Sequence, residues 1–221
     1  VLGTAHILDS IIRNESSPWV VAITTDKVYK NFEVLDGYKE DDALGGKDPY
    51  SASKVAAENV IFAWRGISKG NNGPKLLTAR SGNVIGGGDY SENRLMPDLV
   101  RAFSSNAELV VRNSISTRPW QHVLDCLNGY LKLVEHQISD GIQGEWNFGP
   151  ASGESLDVSS LVEKFCQELD ARVSISTSDD IKGEAILLQL DSSASRQELD
   201  WSEKLNLDET VKWTADWYRN L

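Results

Sequence analysis

A nearly continuous apolar and β-branched run constrains the fold of this chain most strongly; it reads Trp-Val-Val-Ala-Ile-Thr-Thr at positions 19–25. A strand that is apolar throughout, without alternation, is typical of a parallel sheet covered on both faces. A second run of this kind occupies 75–86, and a helix-favouring stretch from about 50 to 64 lies between the two. Because helix and strand alternate in this way, the sequence predicts part of a doubly wound parallel α/β sheet.

The pattern changes after residue 88, where the predicted elements become shorter and less regular. We expect helices at 1–14, 94–106, 124–136, 155–169 and near the C-terminus, and strands at 108–112, 145–150, 172–177 and 185–191. The chain is therefore divided into a sheet-forming part, 1–88, and a smaller α+β lobe, 89–221.

Polar side chains follow the first strand at the point where it ends. Thr24, Thr25, Asp26 and Lys27 come directly after the apolar run. In open α/β sheets, ligands bind at the carboxyl ends of the strands. The sequence therefore predicts a binding site at this edge.

A tyrosine and a lysine, Tyr50 and Lys54, lie four positions apart at the start of the helix that follows. This spacing puts the phenol and the ammonium on one helical face. A free phenol has a pKa of about 10, and a nearby cation favours the phenolate, so the pair can accept a proton from a hydroxyl. Any surface helix can also carry this spacing as an exposed tyrosine and a solvated lysine, and both interpretations stay open on these residues alone.

Three consecutive glycines at 86–88 follow the second strand, but without the G-x-G-x-x-G spacing or a helix directly behind them. We interpret them as a turn rather than a phosphate-binding loop. The dinucleotide fingerprint is absent from the sequence. Either the fold does not bind a nucleotide, or the half that carries the fingerprint precedes residue 1.

Charge and composition exclude several kinds of partner. With 33 acidic and 22 basic residues, the chain has a net charge of −11, which disfavours nucleic acid and anionic membrane surfaces. No apolar run is long enough to span a bilayer. Cys126 and Cys166 match no metal-ligand spacing, so no metal is expected. An anionic ligand would need local arginines to hold it.

Four motifs together carry a family resemblance: Thr-Thr-Asp-Lys-Val-Tyr at 24–29, the segment 45–58 around Tyr50, the segment 80–98, and Thr-Arg-Pro-Trp-Gln-His-Val-Leu-Asp at 117–125. They resemble the extended short-chain dehydrogenase/reductase superfamily. Within it, the chain is most similar to the sugar-nucleotide 4,6-dehydratases, and there to the CDP-glucose branch. The resemblance implies that 1–88 is the remaining portion of an NAD-binding Rossmann domain and that 89–221 mainly binds the sugar nucleotide.

The resemblance also implies a reaction and a role for each motif residue. CDP-D-glucose would be oxidised at C4 with NAD, lose water across C5–C6, and regain the hydride at C6. Tyr50 would deprotonate the 4-hydroxyl, and Lys54 would bind the nicotinamide ribose, beside Thr24. Thr25 would hydrogen-bond the 4-oxygen, and Asp26 would protonate the departing 6-hydroxyl.

Lys27 stands where related dTDP-glucose enzymes carry a glutamate base, and a lysine is typical of the CDP-glucose branch. It would act as the C5 base only if its pKa were depressed, and otherwise as a fixed charge beside the enolate. A surface lysine paired with Asp26 is the alternative to both. Asn83, Arg94 and Arg118 resemble positions that contact the diphosphate or the nucleoside, for which arginine is well suited.

Further expectations follow from the same resemblance. Helices 1–14 and 50–64 are similar to those that form a four-helix homodimer interface in the family. A cytoplasmic enzyme of deoxysugar biosynthesis, supplying lipopolysaccharide O-antigen, is expected. Another 4,6-dehydratase or a 4-epimerase stays open, although the acid Asp26 disfavours an epimerase. A chain lacking the cofactor-binding half, inactive in isolation, is the third possibility.

Overall fold

The computed structural model describes residues 1–68, 73–151, 155–178 and 186–220. Its α-helices are α1 Leu2–Arg13, α2 Pro49–Ser68, α3 Leu95–Ser105, α4 Val123–Asp140, α5 Val158–Leu169, α6 Ser193–Glu198 and α7 Leu207–Arg219. Its strands are β1 Trp19–Ile23, β2 Lys75–Ser81, β3 Val84–Ile85, β4 Glu108–Arg112, β5 Thr117–Arg118, β6 Gln121–His122, β7 Gly144–Phe148, β8 Leu156–Asp157 and β9 Ser174–Ser178.

The two apolar runs form neighbouring strands of one parallel sheet, as predicted. Its order is β1-β2-β7; Ile23 pairs with Ala79, and Ala79 in turn with Trp146. Helices α1 and α2 pack on one another beside this sheet through Leu8 and Ile61, which are both buried against Leu76. The α/β class with parallel strands is confirmed.

The expected burial of the first strand on both faces is wrong for its ends. Trp19 and Ile23 are each 45% exposed. The physical reason is position, because within the described residues β1 pairs only with β2 and so forms an edge of the sheet. The central strand β2 fits the prediction, and its residues after Lys75 are all buried.

The lobe formed by later residues has its own core. Helices α3, α5 and α7 enclose a cluster that includes Leu99, Leu161 and Phe165, and α5 packs along α7. Three two-stranded sheets flank it: β3-β6 and β4-β9 are parallel, and β5-β8 is antiparallel. Strand β7 also comes from residues after 88 and pairs with β2, so the division of the chain at residue 88 stays a prediction.

Two further predictions differ from the structure. The expected strand at 185–191 begins outside the described residues, and its described part forms only isolated bridges, from Leu187 to Thr117 and from Leu190 to Tyr38. The segment is apolar because Leu188 and Leu190 pack into a core cluster around Tyr29. It does not join a strand ladder in the described structure. The expected strand at 75–86 is broken at residues 82–83 into β2 and β3.

Local capping explains where the helices of the lobe begin. Asp157 caps α5, accepting a hydrogen bond from the backbone N–H of Ser160 at 2.9 Å. Asn206 and Glu209 form a reciprocal capping box at the start of α7, which satisfies two amides that the helix itself leaves without a partner. Across the described ranges, no helix combines the length and the apolarity needed to cross a bilayer.

Candidate active site

The end of β1 turns directly into a short 3-10 helix, Asp26–Val28, which fixes the polar residues that follow the strand. The Thr25 hydroxyl accepts a hydrogen bond from the backbone N–H of Lys27 at 3.3 Å and donates one to Asp26 Oδ1 at 2.9 Å. Thr24 and Thr25 are buried, whereas Lys27 is exposed. The turn therefore holds the Asp26 carboxyl inside and presents the Lys27 side chain to solvent.

Asp26 is a buried acid with an unusual environment. Its side chain is almost fully buried, with the residue 2% exposed, and Oδ2 has no hydrogen-bond partner among the described residues. Burial raises the pKa of Asp26 to about 6, although the Thr25 hydrogen bond and the charges of Lys27 and Arg118 oppose this shift. A carboxyl with such a pKa exchanges its proton near neutrality, as a general acid must.

Space for this carboxyl depends on Gly82. A Cβ added to Gly82 would lie 3.2 Å from Asp26 Oδ2 and 2.8 Å from Cγ of Pro119. A larger residue there would press on the carboxylate and on the segment that carries Arg118. The glycine thus brings the ends of β1 and β2 close to the β5–β6 segment.

Asp48 sets the start of α2 and thereby the position of Tyr50. Its Oδ1 accepts hydrogen bonds from the backbone N–H groups of Tyr50 at 2.8 Å and Ser51 at 3.1 Å, and its Oδ2 accepts from the Ser51 hydroxyl at 2.7 Å. Tyr50 is 50% exposed, and Lys54 Nζ lies 5.9 Å from the centre of its ring. The structure therefore brings the predicted phenol and ammonium together on one open face.

A cavity of about 470 Å³ opens beside these residues, a size that suits a small-molecule ligand. Two of the predicted site residues, Lys27 and Arg118, line it. The complete lining is Lys27, Tyr29, Asn31, Phe32, Glu33, Gly45, Lys47, Asp48, Ser51, Arg118 and Leu188. Sequence reasoning missed Lys47, Asp48 and Ser51 as wall residues, although their place just before Tyr50 was a usable signal.

The three predicted nucleotide contacts lie in different surroundings. Arg118 is buried and donates from Nη1 to the carbonyls of Thr117 and Ile186, at 2.9 and 3.3 Å. Asn83 is half-buried next to Gly82. Arg94 is exposed at the start of α3 and, within the described part of the chain, is not among the cavity-lining residues.

Thr24 is buried, and its side chain is hydrogen-bonded to α2. Its hydroxyl donates a 2.6 Å hydrogen bond to Glu58, a buried carboxylate of α2 that also pairs with Arg80. Sequence reasoning missed Glu58, yet its position continues the spacing of four that links Tyr50 to Lys54.

The glycines at 86–88 form the turn that the sequence predicts. Gly88 has a φ of +81°, and a Cβ at Gly87 would lie 2.1 Å from Cγ of Trp217. Packing of this indole accounts for the need for glycine at position 87, and the left-handed backbone accounts for it at position 88. Among the described residues, no group of three potential metal ligands is found.

Comparison with known proteins identifies the family. The sequence model of the GDP-mannose 4,6 dehydratase family matches residues 1–214. The chain belongs to this family. The resemblance to sugar-nucleotide 4,6-dehydratases seen in the motifs is thereby confirmed.

Three relatives within and around the family each match at least 99% of this chain. CDP-glucose 4,6-dehydratase of Salmonella typhimurium is 38% identical, over 99% of this chain and 64% of its own length. The structure of dTDP-glucose 4,6-dehydratase from Bacillus anthracis in complex with NAD superposes with a TM-score of 0.84 at 21% identity, covering 100% of this chain and 67% of that one. UDP-glucuronic acid 4-epimerase from Bacillus cereus, in complex with UDP-glucuronic acid and NAD, gives 0.86 at 17% identity, with 100% and 67% covered.

These structural likenesses show the Rossmann-like dehydratase and epimerase fold. This chain spans 64% of the length of the Salmonella relative. A fold shared by dehydratases and an epimerase does not distinguish their reactions, so the chemistry has to be argued from the site itself.

Proposed function

We propose that the protein containing this chain is an NAD-dependent CDP-glucose 4,6-dehydratase, which converts CDP-D-glucose into CDP-4-dehydro-6-deoxy-D-glucose and water. The observation that carries the proposal is a buried acid, Asp26, in a short 3-10 helix that contacts α2, the helix of the Tyr50–Lys54 pair, beside a cavity that Arg118 lines. The 38% identity to a CDP-glucose 4,6-dehydratase supports the choice of substrate.

The residues on the open face of α2 fit a nicotinamide cofactor. Lys54 and Tyr50 present an ammonium and a phenol side by side, and these groups suit the hydroxyls of a ribose. Together with Thr24, whose side chain is bound to the same helix, they would hold the nicotinamide half of NAD. When bound, NAD would supply reversible hydride storage, taking hydride from C4 of the sugar and giving it back at C6.

Proton transfer at C4 would fall to Tyr50. Its phenolate would accept the proton of the 4-hydroxyl, and the charge of Lys54 would stabilise that phenolate. Thr25 would donate a hydrogen bond to the 4-oxygen by turning its hydroxyl away from Asp26 Oδ1, where it donates in this structure.

Asp26 would protonate the departing 6-hydroxyl, so that water leaves. The unpartnered Oδ2 supports this role, because a protonated oxygen there can donate to the leaving group. A 4-epimerase needs no such acid, and this observation favours a dehydratase over that alternative.

Lys27 would act on the proton at C5, and two roles remain for it. Its exposed ammonium lies at the cavity wall, next to Asp26 in sequence and close enough to Asp48 to interact with it. Either it accepts the C5 proton when neutral, or it stays charged and stabilises the enolate.

The diphosphate would be held by Arg118, with Asn83 and Arg94 as further proposed contacts to the nucleotide. Arg118 is the best supported of the three because it lines the cavity. Its guanidinium supplies local positive charge that the chain as a whole lacks.

The test uses the complete protein with CDP-glucose and dTDP-glucose in parallel, following the alkaline absorbance of the 4-keto-6-deoxy product. Faster turnover of CDP-glucose is expected. Faster turnover of dTDP-glucose would instead identify the protein as a dTDP-glucose 4,6-dehydratase. Interconversion of C4 epimers without water loss would identify an epimerase.

A fluorescence titration of the 221-residue chain with NAD tests the predicted inactivity of this chain in isolation. Micromolar binding would contradict that prediction.

Homodimer formation through α1 and α2 is part of the proposal. These adjacent helices expose Leu2, Ile7, Phe62 and Ile67, which are each more than half accessible. Light scattering should show a dimer, and charged substitutions at Ile7 and Phe62 should give a monomer.

A cytoplasmic location and a role in O-antigen synthesis stay predictions. Cell fractionation checks the first, and analysis of surface polysaccharide in a deletion strain checks the second.

A further inference from the structure

A buried ion pair lies on the same face of α2 as Tyr50 and Lys54. Glu58 is four residues beyond Lys54 and eight beyond Tyr50, so the three side chains form one stripe along the helix. Its carboxylate accepts two hydrogen bonds from Arg80 Nε, at 3.0 and 3.1 Å, and a further one from Arg80 Nη2. The side chains of Arg80 and Glu58 are only 2% and 4% exposed.

The pair also reaches the strand end that carries the proposed acid. The Thr24 hydroxyl donates to Glu58 Oε1 at 2.6 Å, and Thr24 is separated from Asp26 by one residue. Glu58 therefore joins α2 to the end of β1, while Arg80 belongs to β2. Three elements meet at one carboxylate.

The other side of the Arg80 guanidinium holds the cavity wall. Nη1 donates to the phenol oxygen of Tyr29 at 2.8 Å and to the carbonyl of Glu40 at 2.9 Å. The Tyr29 hydroxyl in turn donates to Asn147 Oδ1 at 2.7 Å. Because Tyr29 lines the cavity, one guanidinium connects the helix of Tyr50 to the cavity wall at Tyr29.

Stability alone is a poor explanation for this arrangement. Buried ion pairs are often replaceable by apolar side chains without loss of stability, since desolvation of two charges offsets their attraction. Apolar contacts do not fix the rotational orientation of a helix. A planar guanidinium with two carboxylate oxygens fixes the rotation of a helix more sharply than methylene packing does.

We propose that Glu58 and Arg80 form a positioning pair that sets the rotation and register of α2 against the end of β1, and with them the place of Tyr50 relative to Thr25 and Asp26. The proposal rests on the proposed function. Tyr50 lies about 12 Å along the helix axis from Glu58, so a small rotation at the pair displaces the phenol. A displacement of about 1 Å can cost about a hundredfold in rate.

The experiment compares two double variants of the complete protein. Glu58→Met/Arg80→Met removes the pair without leaving an unpaired buried charge. Arg65→Met/Glu145→Met is the matched control, because Arg65 also belongs to α2 and pairs with the same sheet through Glu145, at 2.7 Å, but far from Tyr50. Steady-state kinetics with CDP-glucose and thermal unfolding are measured for both.

The first variant should unfold within about 5 °C of the wild type. Its kcat should fall between about tenfold and a hundredfold while its KM changes less than about threefold. The control should keep kcat within about twofold of the wild type. A folded Glu58→Met/Arg80→Met protein with wild-type kcat, or an equal loss in the control, would overturn the proposal.

Glu58→Gln/Arg80→Met covers the case in which the first double variant does not fold, since it keeps the shape of residue 58 and its Thr24 contact and leaves no unpaired buried charge. It should show the same selective loss of kcat. If neither Glu58 variant folds, the pair serves stability and the proposal is wrong.

A readout without substrate separates this inference from the proposed function. If the wild type does not turn over CDP-glucose, the proposed function fails, but amide hydrogen exchange still tests the pair. Exchange at residues 51–56 of α2 should accelerate about tenfold in the Glu58→Met/Arg80→Met protein and not in the control. Unchanged exchange there would overturn the positioning role.

Discussion

Replacement of the buried acid Asp26 by asparagine should change how the stability of the protein depends on pH. The carboxyl is buried and one of its oxygens has no partner in the described structure, so its charged form is poorly solvated. The asparagine side chain has nearly the same shape as that of aspartate and carries no charge at any pH. The comparison between the wild type and Asp26→Asn therefore isolates the cost of ionising this group.

The size of the effect follows from the raised pKa. An aspartate near 3.8 in the unfolded chain rises to about 6 in the folded protein, and at about 1.4 kcal/mol for each pKa unit the ionised carboxylate costs about 3 kcal/mol. Between these two pKa values the folded state binds more protons than the unfolded state. The contribution of this group to the free energy of unfolding of the wild type therefore falls as the pH rises from about 4 to about 6. At higher pH this contribution is constant.

Urea unfolding of both proteins between pH 5 and pH 7.5 measures this difference while avoiding the isoelectric point near 4.7. The stability of Asp26→Asn relative to wild type should rise by about 1.4 kcal/mol over this interval. Any constant cost of the new amide cancels, because only the change with pH is compared. Asp200→Asn, at an exposed side chain, controls for the loss of one negative charge. A difference that stays constant within about 0.4 kcal/mol would refute the assignment of a buried, raised-pKa acid.

Four further substitutions test the site and the fold. In the complete protein, Lys27→Ala should permit hydride transfer, seen as NADH absorbance, but block water loss; unimpaired formation of the 4-keto-6-deoxy product would contradict this. Gly87→Ala should cost about 2 kcal/mol of unfolding free energy, because its Cβ would lie 2.1 Å from Trp217, whereas Gly66→Ala, with open space in α2, should gain about 1 kcal/mol. Asn206→Ala should cost about 1 kcal/mol by removing the cap of α7, and equal urea midpoints would disprove that role.

The features predicted correctly from the sequence are those that local geometry determines. An apolar run without alternation identifies a parallel strand, and β1 and β2 pair as expected. The shared face of Tyr50 and Lys54 follows from the helical repeat alone. The turn at 86–88 follows from glycine chemistry and from the missing helix behind it.

The features that were missed depend on contacts between distant residues. An apolar segment such as 186–190 is compatible with a strand or with a loop that covers a core, and only the neighbouring Tyr29 and Tyr38 decide between them. The burial of Asp26 likewise depends on Gly82, which is close in space but far along the chain. No local sequence pattern indicates that an aspartate following a strand is buried away from solvent.

The charges that line the cavity determine whether this acidic chain can bind an anionic ligand there. A chain with a charge of −11 repels an anionic substrate at long range. Among the described residues that line it, however, the cavity wall carries the cations Lys27, Lys47 and Arg118 and the two carboxylates Glu33 and Asp48. Within a screening length of about 10 Å, these three cations count for more than distant acids, and Asp26 beside them adds a negative charge only when it is ionised. The acidic surface is thus compatible with a nucleotide diphosphate at this site, because selectivity for the anion depends on the residues that line the cavity.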